Sequence, residues 1–334
     1  QEIVRMKILL VNNFFTDYGG AEIVTLKNFN LFKQKGFNVE IYSTNKKPYL
    51  YNYLTYNDLF PEYINYSELS RLDSIKYLIR PWYNYEAKAK LEKLIQKFKP
   101  EVVHFHNIYY HLSPSVINAC YKYKIPMVMT LHDPRLMCPG GTLLLKNKTY
   151  CNNELCISGN PFHCLINRCK YGSLKASTVV TIEYLINKFL KIYDKIDYFV
   201  CPSQAILDLA ERFGINKAKL VQINNFLDDI MFNVLPESNN QGYFLYVGRL
   251  SNEKGVNYLI EAMKYLQHVH LKIVGKGEEE RRLIDQTKLF NLKNVEFLGF
   301  KSGIELDELY NNCIATVLPC TWFENFPITI LESF

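Results

Sequence analysis

The chain has 334 residues, enough for two domains of ordinary size, and its 48% hydrophobic and 14% aromatic content excludes a disordered polypeptide. Its net charge of +6 is modest, and without a Lys/Arg stripe, zinc-finger spacing or aromatic RNA-binding motif it argues against nucleic acid as a partner. No apolar run reaches the ~18–20 residues of a transmembrane helix and no signal peptide is visible, so a cytoplasmic location is expected.

The first part of the chain alternates short apolar runs with helical patterns. Strands are predicted at residues 6–13, 37–43, 101–107, 125–133 and 197–203. Helices are predicted after the loop 14–22, at 86–98 and 113–123, and in a pattern that runs to about residue 195. This order predicts βαβ units and a parallel sheet. Ser203 is the expected N-cap of the helix that follows.

A second αβ series begins behind a stretch of linker composition at residues 234–242. Its predicted strands are 243–249, 269–274, 295–300 and 313–319, and its predicted helices are 256–266, 278–290 and 303–311. The fold class predicted is therefore α/β, with two tandem Rossmann-like, doubly wound domains at residues 1–234 and 235–334. Ligands of such sheets bind at the carboxyl ends of the strands, so the site is expected in a cleft between the domains.

A tyrosine-rich insertion, residues 46–85, interrupts the first series. It holds nine tyrosines together with Phe60 and Trp82. Amphipathic rings suit surfaces that are half apolar and half wet. The insertion is therefore interpreted either as packing on the sheet or as a platform for a sugar or lipid acceptor.

A cysteine-rich insertion, residues 138–169, follows the fourth strand. Its cysteines are Cys138, Cys151, Cys156, Cys164 and Cys169, with His163 among them. The intervals are not tight C-x-x-C pairs. Two interpretations stay open, a structural zinc held by thiolates and a set of reduced, partly buried thiols, while disulfides are disfavoured in a reducing cytosol. In either case the segment is expected to be structural and not catalytic.

Two cations flank a glycine-containing turn, G-R-L-S-N-E-K-G, at the start of the second series. The strand is expected to end at Gly248 and a helix to begin after Gly255. Arg249 and Lys254 would then lie at the carboxyl end of a parallel strand. A guanidinium and an ammonium in that place can clamp a diphosphate with the help of backbone donors. The alternative is a pair of solvated surface cations.

The last stretch, C-T-W-F-E-N-F-P-I-T-I-L-E-S-F, places two acids around a predicted helix start. Pro327 fits a first helical turn because its missing N–H has no intrahelical partner there. Glu324 precedes it in a polar turn, and Glu332 follows about one and a half turns into the helix. Two carboxylates and free N–H groups suit an anionic ligand that carries hydroxyls. Alternatively, both acids are ordinary surface residues.

The order of these pieces resembles a known family. G-R-L-S-N-E-K-G, I-V-G-K-G, F-L-G-F and E-N-F-P-I-T-I-L-E follow one another as in the family 4 retaining glycosyltransferases of the GT-B fold. The first half agrees, with M-K-I-L-L-V-N-N, G-G-A-E, V-V-H-F-H-N, T-L-H-D, F-V-C-P-S and I-N-N-F-L-D in comparable places. The resemblance covers nearly the whole chain and implies an acceptor-side domain at residues 1–234 and a nucleotide-sugar-binding domain at residues 235–334.

The resemblance implies roles at the donor side. Arg249 and Lys254, beside Gly248, would hold the donor phosphates and stabilise the departing nucleotide diphosphate. Glu332 would bind the ribose hydroxyls, and Glu324 would bind hydroxyls of the transferred sugar. Further donor contacts are expected from Asn325, Phe326 and Pro327.

The resemblance also implies roles in the first domain. Gly19 and Gly20 would form a flexible loop near the acceptor and the donor phosphate, and His132 would face the reacting sugar. The catalytic set implied is His132, Glu324, Arg249 and Lys254. A single histidine after an apolar strand can instead be structural, and of His104 and His106 at least one is expected in the core.

The activity implied is that of a retaining hexosyltransferase of polysaccharide biosynthesis that needs no metal or other cofactor. It would move a sugar from a UDP- or GDP-linked donor to a saccharide or lipid-linked glycan acceptor. A lipid-linked acceptor would place the protein peripherally at the inner face of the cell membrane.

Two alternatives remain beside this hypothesis. The first is a non-catalytic nucleotide- or sugar-binding module with the same fold. The second, a nicotinamide-dependent dehydrogenase, is disfavoured because the first βα turn lacks G-x-G-x-x-G. Relatives continue beyond the position of Phe334, so the chain is expected to be truncated, with reduced activity.

Overall fold

The computed structural model describes residues 5–16, 19–46, 54–66, 68, 77, 79–147, 149–151, 156, 159–227 and 242–334. The chain divides into two compact units, Gln1–Asn147 with Cys151–Asn225, and Lys148–Tyr150 with Phe226–Phe334. The predicted domain boundary after residue 234 lies outside the described residues, as do parts of the tyrosine-rich and cysteine-rich insertions.

The first unit is built on a parallel sheet, with six strands among the described residues. They are β1 (Lys7–Val11), β2 (Asn38–Tyr42), β3 (Val102–Phe105), β4 (Met127–Thr130), β5 (Tyr198–Cys201) and β6 (Leu220–Gln222). Their order is β2-β1-β3-β4-β5-β6 with every pair parallel. The sheet is thus doubly wound, with a topological switch point between β1 and β3. The predicted strand series ended at residue 203, and β6 extends it.

Six helices of the first unit accompany this sheet in the described part of the chain. They are α1 (Gly20–Gln34), α2 (Tyr85–Phe98), α3 (Ser115–Lys122), α4 (Phe162–Ile166), α5 (Leu174–Phe189) and α6 (Gln204–Arg212). In α2 the buried residues recur at helical spacing, and the Asn84 side chain caps the helix by accepting from Ala87 N–H. Ser203 caps α6 in the same way, by accepting from Ile206 N–H, as predicted.

The second unit holds a smaller parallel sheet. Its strands are β7 (Tyr243–Val247), β8 (His270–Val274), β9 (Val295–Gly299) and β10 (Cys313–Thr316), in the order β10-β7-β8-β9. Its helices are α7 (Val256–Ala262), α8 (Glu280–Leu289), α9 (Ile304–Asn312) and α10 (Ile328–Ser333). Leu245 and Ile273 on neighbouring strands and Leu283 on α8 are buried in its core. The switch point lies between β7 and β10, where the strand order reverses.

The described part of the tyrosine-rich insertion packs on the first unit. Phe60 is buried and meets the ring of Tyr42 on β2 edge-on, with centroids 6.0 Å apart. Trp82 donates from its indole N–H to the carbonyl of Val179 at 3.2 Å. Among the described residues, no helix is long and apolar enough to cross a membrane.

Candidate active site

The turn after β7 holds Arg249 in an ordered but accessible position. Tyr246 donates from its hydroxyl to the Arg249 carbonyl at 2.9 Å. The guanidinium donates to Glu253 Oε1 at 2.7 Å and to Ser251 Oγ at 3.3 Å. The Arg249 side chain is nevertheless 60% exposed, so its remaining donors can meet an anion from solvent.

Glu253 links this turn to the segment that follows β10. Burial alone would raise the pKa of the Glu253 carboxyl, but the hydrogen bond from Ser251 and the charge of Arg249 lower it below the usual value. The Glu253 carbonyl accepts from Thr321 N–H at 3.0 Å and from its hydroxyl at 3.3 Å. The loops after the two strands at the switch point are thereby tied together.

Two glycines let neighbouring loops approach closely here, Gly255 for the loops after β7 and β10 and Gly275 for the loops after β7 and β8. A Cβ on Gly255, whose φ is +70°, would lie 1.9 Å from the carbonyl oxygen of Pro319. A Cβ on Gly275, whose φ is +136°, would lie 1.9 Å from the carbonyl oxygen of Gly248. Only glycine avoids both the contact and the strain of a positive φ.

The approach brings Lys254 to Glu324. The ammonium of Lys254 lies 2.5 Å from Glu324 Oε2, with side chains 18% and 24% exposed. The same oxygen accepts from Trp322 Nε1 at 2.8 Å and from Cys320 Sγ at 3.4 Å. The ammonium also lies 5.1 Å from the centroid of the Trp322 ring. Two residues predicted separately, one for phosphate and one for sugar, are thus direct partners.

Glu332 has a different partner. It lies on α10, which begins at Ile328 directly after Pro327, as the sequence predicted to within one residue. Its Oε2 accepts from the hydroxyl of Tyr310 on α9 at 3.0 Å. Burial and the charge of Glu332 raise the pKa of the Tyr310 hydroxyl. The carboxylate is therefore positioned by a phenol that sequence analysis did not single out.

In the first unit, His132 belongs to a stack of three histidines at the carboxyl ends of β3 and β4. His106 Nδ1 and His132 Nε2 share a hydrogen bond of 2.9 Å, and their rings stack with centroids 5.2 Å apart. His104 bonds to Thr130 Oγ1 at 2.8 Å. Burial lowers the pKa of His104 to about 4 and that of His132 to about 3. The rings are therefore neutral near pH 7.

The residues after His132 continue into a buried charged cluster. Asp133 caps the short turn Pro134–Leu136 by accepting from Arg135 N–H at 2.9 Å. The Arg135 guanidinium donates to the hydroxyl of Tyr110 and lies 4.0 Å from the centroid of its ring. Burial raises the pKa of Glu183 on α5 to about 7, against the opposing charge of Arg135. Sequence analysis missed this cluster.

Gly19 and Gly20 stand where α1 begins. Gly19 has a φ of +96°, and a Cβ there would lie 2.4 Å from the Glu22 carboxylate. A Cβ on Gly20 would meet no atom within 4 Å. The backbone at Gly20 therefore has open space beside it.

The five cysteines of residues 138–169 surround one small cavity. Its lining includes Cys138, Cys151, Cys156, Cys164, Cys169 and His163. All five cysteines carry free thiols. Within the described ranges, no three His, Cys, Asp or Glu side chains stand in a geometry that could hold a metal ion.

Sequence analysis also missed Trp322 and Cys320, which contact Glu324, and Glu253, which contacts Arg249. All three residues lie in stretches that the sequence analysis had singled out, C-T-W-F-E and S-N-E-K. The one sequence signal for such a contact is Trp322, whose indole N–H lies two residues before the acid Glu324.

Comparison with known proteins identifies the class. Residues 18–229 match the family model described as Glycosyltransferase Family 4, and residues 228–334 match the model described as Glycosyl transferases group 1. The chain belongs to glycosyltransferase family 4, which confirms the resemblance and makes it a glycosyltransferase.

Three similar proteins illustrate the match. An uncharacterized 42.6 kDa protein in the cps region of Klebsiella pneumoniae is 24% identical over 341 residues, covering 98% of this chain and 82% of that protein. Sucrose-phosphate synthase from Thermosynechococcus elongatus has a TM-score of 0.66 at 15% identity, covering 98% of this chain and 79% of the other. HepE from Anabaena, solved in complex with UDP-glucose, has a TM-score of 0.59 at 18% identity, covering 98% and 78%. These structural likenesses confirm the predicted GT-B fold of two Rossmann-like domains.

Proposed function

We propose that this glycosyltransferase moves a hexose from a nucleotide-diphosphate sugar to a saccharide or lipid-linked glycan acceptor, with retention of anomeric configuration and without a metal. The observation that carries the proposal is the pairing of Lys254 with Glu324 at the switch point of the second sheet, with the accessible Arg249 on the same turn as Lys254. Ligands of doubly wound sheets bind at such points. The two cations suit the charge of a diphosphate, and the carboxylate suits the hydroxyls of the sugar that is joined to it.

The donor would be held from both ends. Arg249 and Lys254 would bind the diphosphate and stabilise its charge as the bond to the sugar breaks. Three donors meet Glu324 Oε2, while Oε1 has no hydrogen-bond partner among the described residues. Oε1 can therefore accept a sugar hydroxyl without loss of those bonds. Glu332, held by Tyr310, would bind the ribose.

Retention would follow from attack on the face that the leaving group departs from. The acceptor oxygen bonds to the anomeric carbon, the bond from that carbon to the diphosphate breaks, and the departing phosphate takes the acceptor proton. Arg249 and Lys254 supply the positive charge that a divalent ion would otherwise supply. His132, kept neutral by burial, would hydrogen-bond a hydroxyl of the reacting sugar.

A UDP- or GDP-linked donor is proposed, with UDP tested first because HepE was solved with UDP-glucose. The chain holds two tryptophans, Trp82 and Trp322. The variant Trp82→Phe leaves Trp322, beside Lys254 and Glu324, as the only indole emitter. Titration with UDP-, GDP- and ADP-sugars should change its emission for the true donor and raise the melting temperature by mass action.

Turnover separates an enzyme from a binding module. The donor that binds is incubated with saccharide and lipid-linked acceptors, and the product linkage is read by NMR. A product with the donor's anomeric configuration, formed equally in EDTA, supports the proposal. Binding without transfer to any acceptor favours the non-catalytic module, and inversion or loss of activity in EDTA contradicts the mechanism.

A surface on the first unit supports peripheral membrane association. Phe162 and Ile166 on α4 and Leu174 at the start of α5 are 50%, 73% and 52% exposed. Arg168 and Lys175, close to them in sequence, are exposed as well. Exposed apolar side chains accompanied by cations fit an anionic bilayer surface. Co-sedimentation with anionic vesicles should exceed that with neutral vesicles, and Ile166→Glu should reduce it; equal binding to both contradicts the proposal.

A further inference from the structure

The cysteine cluster of the first unit is separate from the donor residues and is assigned no role in transfer. Its five thiols come from the loop after β4, from α4 and from the turn before α5. They line a cavity of about 20 Å³, room for one ion but not for a substrate. Leu143, Leu144 and Leu145 form the apolar part of the wall.

Gly140 is the point around which three of these cysteines gather. A Cβ on Gly140 would lie 3.2 Å from Cys169 Cβ, 3.7 Å from Cys138 Sγ and 3.9 Å from Cys164 Sγ. Any larger residue would therefore crowd the sulfur atoms. Cys156 is buried in one apolar cluster with Cys164 and Val180, and Cys169 packs against it. The chain thus brings thiols from four separate positions to one place.

We propose that this cavity is a structural site for one thiophilic divalent cation of the zinc class, held by four of the five thiolates. A tetrahedral ion with bonds of ~2.3 Å to sulfur sets its ligands ~3.8 Å apart. Among the described residues no three ligands yet point at one centre, so binding requires the thiols to turn toward the cavity by change of χ1 rotamer.

The ion would order the loop that carries the residues after His132. The carbonyl of Gly140 accepts from Lys170 Nζ at 3.4 Å. A Cβ on Gly141 would lie 3.4 Å from Arg135 Nε, so the cysteine loop packs directly on the buried guanidinium. Cross-linking this loop through a metal would position Arg135 without taking part in transfer.

The test measures metal in the full chain, purified under reducing conditions from zinc-supplemented cells. Elemental analysis should find one zinc per chain, released when a mercurial reagent titrates the thiols. Replacement by Co²⁺ should give the absorption of a tetrahedral thiolate site. Metal-free reduced protein, an intramolecular disulfide by intact mass, or an octahedral cobalt spectrum would each overturn the proposal.

Single substitutions locate the ligands. Each cysteine of the cluster is changed to serine, and four of the five variants should lose at least tenfold in zinc affinity. Cys201→Ser on β5 and Cys313→Ser on β10, both outside the cluster, serve as controls and should keep one zinc. Retention of full affinity in every cluster variant contradicts the assignment. Because the readout is metal content, a failure of the proposed transferase activity would leave the result unchanged.

Discussion

A single oxygen, Glu324 Oε2, accepts hydrogen bonds from the ammonium of Lys254, the indole N–H of Trp322 and a neighbouring thiol. The pair with Lys254 is mostly shielded from solvent, so it is worth more than an exposed ion pair. Lys254→Ala removes the cation expected to meet the leaving diphosphate. Loss of one such group costs about 10²–10³-fold in turnover, and we expect that loss in kcat/KM for the best donor.

A lysine on the same unit provides the matched control. Lys301 pairs with Glu305 at 3.2 Å on the surface, and Lys301→Ala should change kcat/KM by less than about twofold. Lys254→Arg, which keeps the charge but changes its geometry, should recover part of the lost activity. Equal activity of Lys254→Ala and Lys301→Ala would remove Lys254 from the proposed site.

The histidine stack makes the stability of the protein depend on pH. Burial holds the folded-state pKa of His104, His106 and His132 below the usual value near 6.5. The unfolded chain therefore binds more protons below pH 6.5, and stability falls as pH drops through that value toward the folded pKa. His104 and His132, whose pKa values burial lowers to about 4 and about 3, should each cost about 2 kcal/mol of unfolding free energy at pH 5 relative to neutral pH.

Replacing one ring isolates this effect. His106→Phe keeps a stacked aromatic ring but cannot take up a proton, so its melting temperature should fall less between pH 7 and pH 5 than that of the wild type. His268→Gln, an exposed position on the second unit, should leave the pH dependence as it is. If the melting temperatures of the wild type and His106→Phe fell equally between pH 7 and pH 5, this account would be contradicted.

At the scale of elements, the close approach of the loops at the switch point of the second sheet depends on a glycine, Gly255, more than on the strand propensity of β7 and β10. Gly255→Ala would press a methyl group into the Pro319 carbonyl and separate the loops after β7 and β10. Because those loops carry Lys254 and Glu324, donor affinity should fall at least tenfold and the melting temperature should drop. Gly214→Ala is the control, since its φ of +95° is also positive but nothing lies within 4 Å of the added carbon. If both substitutions lowered donor affinity and melting temperature equally, backbone strain would be the cause and the contact with Pro319 would not.

Element type and order were predictable because buried parallel strands are apolar runs and helices have apolar residues at helical spacing. Strand ends were less predictable. The run 125–133 is apolar almost to Asp133, yet β4 ends at Thr130, since pairing with β5 stops there. The strand β6 has only three residues and its last two are exposed, so its pattern carries no strong signal.

For the candidate site, the sequence offered a set of residues as a hypothesis but did not indicate their partners. Arg249, Lys254 and Glu324 were selected as charged residues that follow predicted strands, and Glu332 as an acid near the start of a predicted helix; both are local patterns. That Lys254 pairs with Glu324, 70 residues later, depends on the strand order β10-β7, which no local pattern contains. Tyr310 lies on a helix face and becomes a partner of Glu332 only through packing.

At the scale of the whole molecule, two units with separate sheets and separate cores should respond separately to UDP. The proposed diphosphate and ribose contacts lie on the second unit, while the histidine stack lies on the first. A ligand stabilises the part that it binds by RT ln(1 + [L]/Kd), about 2.7 kcal/mol at a concentration of 100 Kd. Calorimetry with UDP should therefore shift the transition of the second unit. Acidification to pH 5 should shift the transition of the first unit. That transition is the one whose pH dependence is reduced in His106→Phe. A single transition that moves as one under both treatments would mean that the two units unfold as a cooperative whole.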